Sequence, residues 1–183
     1  MSFSSLRRWV TRSTASTAGF TPNPLPPADA EAQFHKGLNF AIGQGVAQDY
    51  VLAAQCYTEA AEQGHSRAQL NLATLYEHGQ GVTRDQTKAR SWLTKAARLG
   101  NAEAQYRLGV QQHLSCRTGR LEPAIEGRIE ALKWVQLSAS QGCGGALGAC
   151  EFVALGMTRE EVAESGRRVA AFTPGASVDK PIN

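Results

Sequence analysis

Acidic side chains are missing from the first 28 residues of this 183-residue chain, where Arg7, Arg8 and Arg12 account for the whole formal charge of +3. The remainder is charge-balanced. A body without a concentrated basic face has little with which to displace counterions from phosphate, so nucleic acid is not an expected partner. Long apolar runs are also missing. No stretch approaches the roughly 18 residues needed to cross a bilayer, and no membrane span is expected. Cysteine is confined to positions 56, 116, 143 and 150, a spacing too irregular for a disulfide framework. Reduced thiols and a cytoplasmic setting are therefore expected.

The marks of catalysis are equally sparse. Histidines at 35, 65, 78 and 113 are scattered, and His113-x-x-Cys116 is the nearest thing to a ligand pair; structural zinc normally takes four ligands, so no metal and no cofactor are expected. The glycine pairs at 43/45 and 79/81 and the cluster from 142 to 145 follow helical patterns rather than strands, which excludes a phosphate loop or dinucleotide fingerprint. There is no Gly-x-Ser-x-Gly elbow and no cysteine with a motif-placed histidine. A non-enzymatic role is expected.

What the chain does have is a period. Ala32, Ala68 and Ala104 each open an Ala-Gln pair, 36 residues apart, and residues 32–67 match 68–103 at 12 of 36 positions. Shared landmarks are Gly-Gln-Gly-Val at 43–46 and 79–82, Asp49/Asp85, Ala53/Ala89, Ala60-Ala61/Ala96-Ala97 and Gly64/Gly100. Periods of this size mark stacked supersecondary units. In the clearest unit Ala68, Leu72, Leu75 and Tyr76 predict a first helix, A, over about 66–78, with Ser66 and Gln69 as a capping box. Gly79 and Gly81 stop it. Asp85 then caps a second helix, B, with Ala89, Trp92, Leu93, Ala96 and Ala97 facing inward up to Gly100.

These landmarks closely resemble those of the Sel-1-like repeat family, a longer-period relative of the tetratricopeptide repeats, over about residues 30–155. The resemblance implies an all-α, α/α solenoid of antiparallel helix pairs acting as a scaffold or adaptor that binds a protein or peptide. In disulfide-rich members cysteines stand at the end of helix B and the start of the next helix A; here those places hold Ala61/Ala68, Ala97/Ala104 and Ala139/Ala146.

The expected organisation is a flexible leader (1–28), three repeats (29–142), a half repeat with a capping helix (143–172) and a flexible tail (173–183). The third unit is six residues longer than the period, and the excess falls at 112–127, where the Gly-x-Gly-Val turn is missing, so a surface loop is expected there. Thr158 and Glu161 predict a capping box for the last helix, whose Glu160, Glu161, Glu164, Arg167 and Arg168 cover one side while Val162, Val169 and Phe172 face inward. The leader superficially resembles a transit peptide or a twin-arginine signal, but no apolar segment follows its arginines. Its Phe3, Leu6, Trp9 and Val10 suit packing on the first repeat, or lying in the groove as a self-ligand.

The A helices of such a stack line its concave side. The expected partner-binding positions are Phe34 and Leu38 in the first unit, Leu70, Thr74 and Glu77 in the second, and Tyr106, Val110 and His113 in the third. The reading is a bacterial-type scaffold; the alternatives are a hydrolase-like site in the groove and an envelope-associated adaptor. The oligomeric state is left open.

Overall fold

The computed structural model describes residues 29–117 and 124–175. The leader with its expected packing, the end of the tail and the centre of the third-unit insertion lie outside them. Among the described residues eight helices follow in chain order: α1 Ala30–Ile42, α2 Tyr50–Glu62, α3 Ser66–His78, α4 Gln86–Arg98, α5 Ala102–Arg117, α6 Ala124–Ser140, α7 Ala146–Ala154 and α8 Arg159–Ala170. No strand occurs among the described residues. Helices α1/α2, α3/α4 and α5/α6 pair as antiparallel hairpins, and each hairpin stacks on the next through α2/α3, α4/α5 and α6/α7. The result is an α/α solenoid.

Local chemistry sets the first two hairpins. Gly43 and Gly79 end α1 and α3 with φ of 74° and 72°, a left-handed conformation that costs glycine nothing. The chain then turns back. Asp49 and Asp85 begin α2 and α4: the Asp49 carboxylate accepts from the N–H groups of Val51 and Leu52 at 2.8 and 3.0 Å, and Asp85 does the same for Thr87 and Lys88 at 3.0 and 2.9 Å. Each aspartate satisfies two donors that the first helical turn leaves unpaired.

Small residues decide how closely the hairpins stack. Ala53, Ala60, Ala68, Ala96, Ala97 and Ala104 are buried, and Leu72, Leu93, Leu108 and Trp134 fill the space between neighbouring pairs. At Gly109 a Cβ would stand 2.5 Å from the Val135 side chain and 2.8 Å from the Ala131 carbonyl. Glycine at that point is therefore a packing requirement of the α5/α6 hairpin.

Three expectations are corrected. The N-cap of α3 is His65, whose Nδ1 accepts from the Ala68 N–H at 3.0 Å; Ser66 is already helical, and the Gln69 side chain is drawn instead into the preceding helix end. The third-unit insertion is largely helix rather than loop, because α5 runs on to Arg117 and α6 starts at Ala124. The place of Gly79 is taken there by Ser115, which lacks the easy left-handed stop. Finally, the charged side of α8 is not turned wholly to water. Glu161 and Ser165 are buried against α6, and the predicted capping box of Thr158 and Glu161 forms at its start.

Candidate functional site

Several side chains that recur on successive A helices share one register, and their fates differ. Phe34 is not on an open surface. It is 2 % exposed, stacked on the His65 ring at 4.5 Å between centroids, with the Arg67 guanidinium 4.7 Å above it. The start of α3 thus covers the side chain expected to open the groove. Leu38, Leu70, Tyr106 and Val110 are half-buried; Leu70 packs against the second core cluster and Tyr106 against the third.

Thr74 and Glu77 meet a partner that the sequence reading did not identify. Arg107 on α5 donates to Thr74 Oγ1 at 2.9 Å and forms an ion pair with Glu77. One guanidinium therefore ties two consecutive A helices together, with both partners half-buried. A second missed device is the glutamine of each Ala-Gln pair. Gln69 Nε2 donates to the Ala61 carbonyl at 2.9 Å and Gln105 Nε2 to the Ala97 carbonyl at 3.0 Å, so each satisfies an acceptor at the C-terminus of the preceding B helix. Its recurrence at 33, 69 and 105 was the available signal.

His113 is buried, its ring meeting Phe152 edge-on at 5.0 Å, and burial, reinforced by Arg117, holds its pKa below the usual imidazole value. Its Nδ1 has no hydrogen-bond partner among the described residues. Thiol chemistry is disfavoured nearby, because burial raises the Cys116 and Cys150 pKa values and a protonated thiol is a poor nucleophile. Among the described residues no group of three or more His, Cys, Asp and Glu side chains could hold a metal ion, and no helix is long and apolar enough to cross a membrane.

The A-helix row ends on an apolar rim. Following Thr74 and Val110 by the local repeat lengths leads to Phe152, and following Glu77 and His113 leads to Leu155; these are 47 % and 74 % exposed. Leu147 on α7 and Leu114 on α5 are also exposed, at 73 % and 49 %. The cause is architectural. On α3 and α5 the equivalent side chains meet the next A helix, Arg107 against Thr74 and Glu77 and Phe152 against His113; α8 lies on α6, and among the described residues no further A helix follows α7.

The family profile described as Sel1 repeat matches residues 30–65, 66–101 and 102–143. A crystal structure of a Sel1 repeat protein from Oxalobacter formigenes superposes with a TM-score of 0.57 at 30 % identity, covering 66 % of this chain and 47 % of that one. A protective antigen present in uropathogenic Escherichia coli strains, displaying an SLR fold, gives 0.59 at 28 % identity over 77 % of this chain and 31 % of that one. An uncharacterized protein of Neisseria meningitidis serogroup B is 45 % identical over 47 residues, which is 26 % of this chain and 10 % of that protein. The chain thus spans under half the length of each of these relatives.

Proposed function

We propose, from the premise that this chain belongs to the Sel1 repeat family, that it is a non-catalytic scaffold holding a segment of another protein against the face built by its A helices. Repeats of this family generally mediate protein–protein interaction. The observation that carries the finer reading is the apolar rim of Leu114, Phe152 and Leu155, exposed at the end of a half-apolar row that includes Leu38, Leu70, Tyr106 and Val110. Large apolar side chains exposed at the end of one row are a feature of interaction sites. Thr74 and Glu77 contribute by holding Arg107 and thereby the spacing of the row, while Phe34 and His113 support it from beneath. Four free thiols fit a reducing, cytoplasmic setting for this reading.

Affinity purification with mass spectrometry, comparing the parent with a Leu114→Ser, Phe152→Ser, Leu155→Ser variant, tests the proposal. Leu155 is largely exposed and Leu114 and Phe152 about half exposed, so the variant should stay folded, with a lowered melting temperature where Phe152 leaves His113, and lose a partner that the parent retains. An unchanged partner set from a folded variant would overturn it.

A further inference from the structure

The α4 helix presents a second surface of a different chemistry. Its sequence from Gln86 to Arg98 contains Lys88, Arg90, Lys95 and Arg98 and no acidic residue. A groove of about 580 Å³ runs along it, lined by Thr87, Arg90, Ser91, Thr94, Lys95 and Arg98 among others. Lys95 lies over the Trp92 ring at 3.8 Å. Among the described residues the ion pairs within 4 Å engage other cations and none of Arg90, Lys95 and Arg98. The helix dipole accounts for cations in the last turn, where Lys95 and Arg98 sit. It does not account for Arg90 in mid-helix.

The repeat itself shows what such a groove holds. Shifting by the length of the third unit, 42 residues, places Gln86 on Arg128 and Thr94 on Gln136 of α6. Those two α6 side chains receive α8: Arg128 pairs with Glu161 at 2.6 Å, and Gln136 Oε1 accepts from Ser165 at 2.8 Å. The face that is open on α4 is therefore occupied by a helix one unit later; there Arg90 and Lys95 are replaced by the buried Leu132 and Leu137, so the two faces share their place in the repeat while the cationic character belongs to α4 alone. Shifting back by 36 residues reaches α2, where a groove of about 420 Å³ has Val51, Gln55, Thr58 and Glu59 in the same places. Of these two open grooves only the one on α4 is cationic.

We propose that the α4 groove binds an acidic helical segment of a partner protein, laid along Thr87, Arg90, Thr94 and Arg98 as α8 lies along α6. Carboxylates at helical spacing meet the guanidinium groups of Arg90 and Arg98, and hydroxyls at Thr87 and Ser91 supply hydrogen bonds at the rim. This surface is independent of the A-helix face.

The test uses the full chain and a fluorescein-labelled peptide copying residues 157–172 with Arg159→Ala, Arg167→Ala and Arg168→Ala, which leaves Glu160, Glu161 and Glu164 as its charges. Fluorescence anisotropy should show binding to the parent that weakens with added salt, and weakening by about tenfold in R90Q/K95Q/R98Q. Arg90→Glu alone, at an exposed position, should also weaken it, and serves if the triple variant melts early. Glu59→Gln on α2 and the Leu114/Phe152/Leu155 serine variant should bind as the parent does. No binding by the parent, equal binding by R90Q/K95Q/R98Q, or loss caused by the serine variant would each overturn the proposal. So would sedimentation showing that the groove is filled by α8 of a second copy.

Discussion

At the scale of single residues, one landmark can carry unequal weight in two copies of the repeat. Gly45 and Gly81 are equivalent in sequence and share left-handed backbones, with φ of 74° and 67°. A Cβ at Gly45 would meet nothing within 4 Å, whereas at Gly81 it would fall 2.1 Å from the Tyr50 carbonyl oxygen and 2.6 Å from the Val51 nitrogen. The second glycine lies against the start of α2, and the first has no described unit before it. Gly45→Ala should therefore cost only the strain of its dihedral angle, about 1 kcal/mol. Gly81→Ala must also push backbone from backbone and should cost clearly more, read as a larger drop in denaturant midpoint at unchanged slope. Equal losses would mean that the Gly81 turn is not seated on α2. Sequence showed both glycines as stops, because a left-handed stop is a local property. It could not rank them, because the Tyr50 backbone arrives from another hairpin. Phe34 was misread for the same reason: its register matched an exposed row, while its cover, His65 and Arg67, comes from about thirty residues away.

At the scale of elements, helix ends were legible wherever one side chain decides them, as at Asp49, Asp85 and Thr158, and illegible where packing decides. The clearest case is α8. Its carboxylates and guanidinium groups suggested a solvated cap, yet they form the interface: Glu161 with Arg128 at 2.6 Å, and Arg168 with Glu126 and Glu130 of α6, while Glu164 braces Arg168 from within α8. Helix α8 is held on α6 by ionic contacts, with Val162, Val169 and Phe172 as its apolar share. The hydrogen bond from Arg168 holds Glu126 and Glu164 below the usual carboxylate range, and for Glu161 the largest cause is the bond to the Thr158 backbone N–H, aided by Arg128. Groups depressed in this way stabilise the folded form above their unfolded pKa, about 4.3 for glutamate, and lose that contribution as pH falls through their folded values. Acidification from pH 5 toward pH 3 should therefore loosen α8 from α6. Hydrogen exchange corrected for intrinsic rate should show α8 amides losing protection before those of α3 and α4, and Arg168→Gln should remove much of that difference by weakening α8 at neutral pH. Uniform loss across the helices, or an Arg168→Gln protein with parental protection in α8, would show that the apolar contacts alone hold it.

At the scale of the whole molecule, stability is distributed along a line rather than around a centre. Three core clusters follow one another, the first built by α1, α2 and α3, the second centred on α4, α5 and α6, and the third on α6 and α7, and close helix contacts join near neighbours in the chain. Such arrays behave as sums of unit and interface terms. Leu72 is 1 % exposed within the first cluster, and Leu72→Ala should remove about 2–5 kcal/mol from that part of the stack. The loss should stay local. Hydrogen exchange should accelerate strongly in α1–α4 and little in α6–α8, and chemical denaturation should broaden as the two ends uncouple. The two proposed binding surfaces should then respond differently to one substitution: binding at the apolar rim on α5 and α7 should persist, while binding at the cationic groove on α4 should weaken with its helix. Equal acceleration in α1–α4 and α6–α8 would mean that the clusters act as one cooperative core, and a defect in the second repeat would then silence both surfaces together.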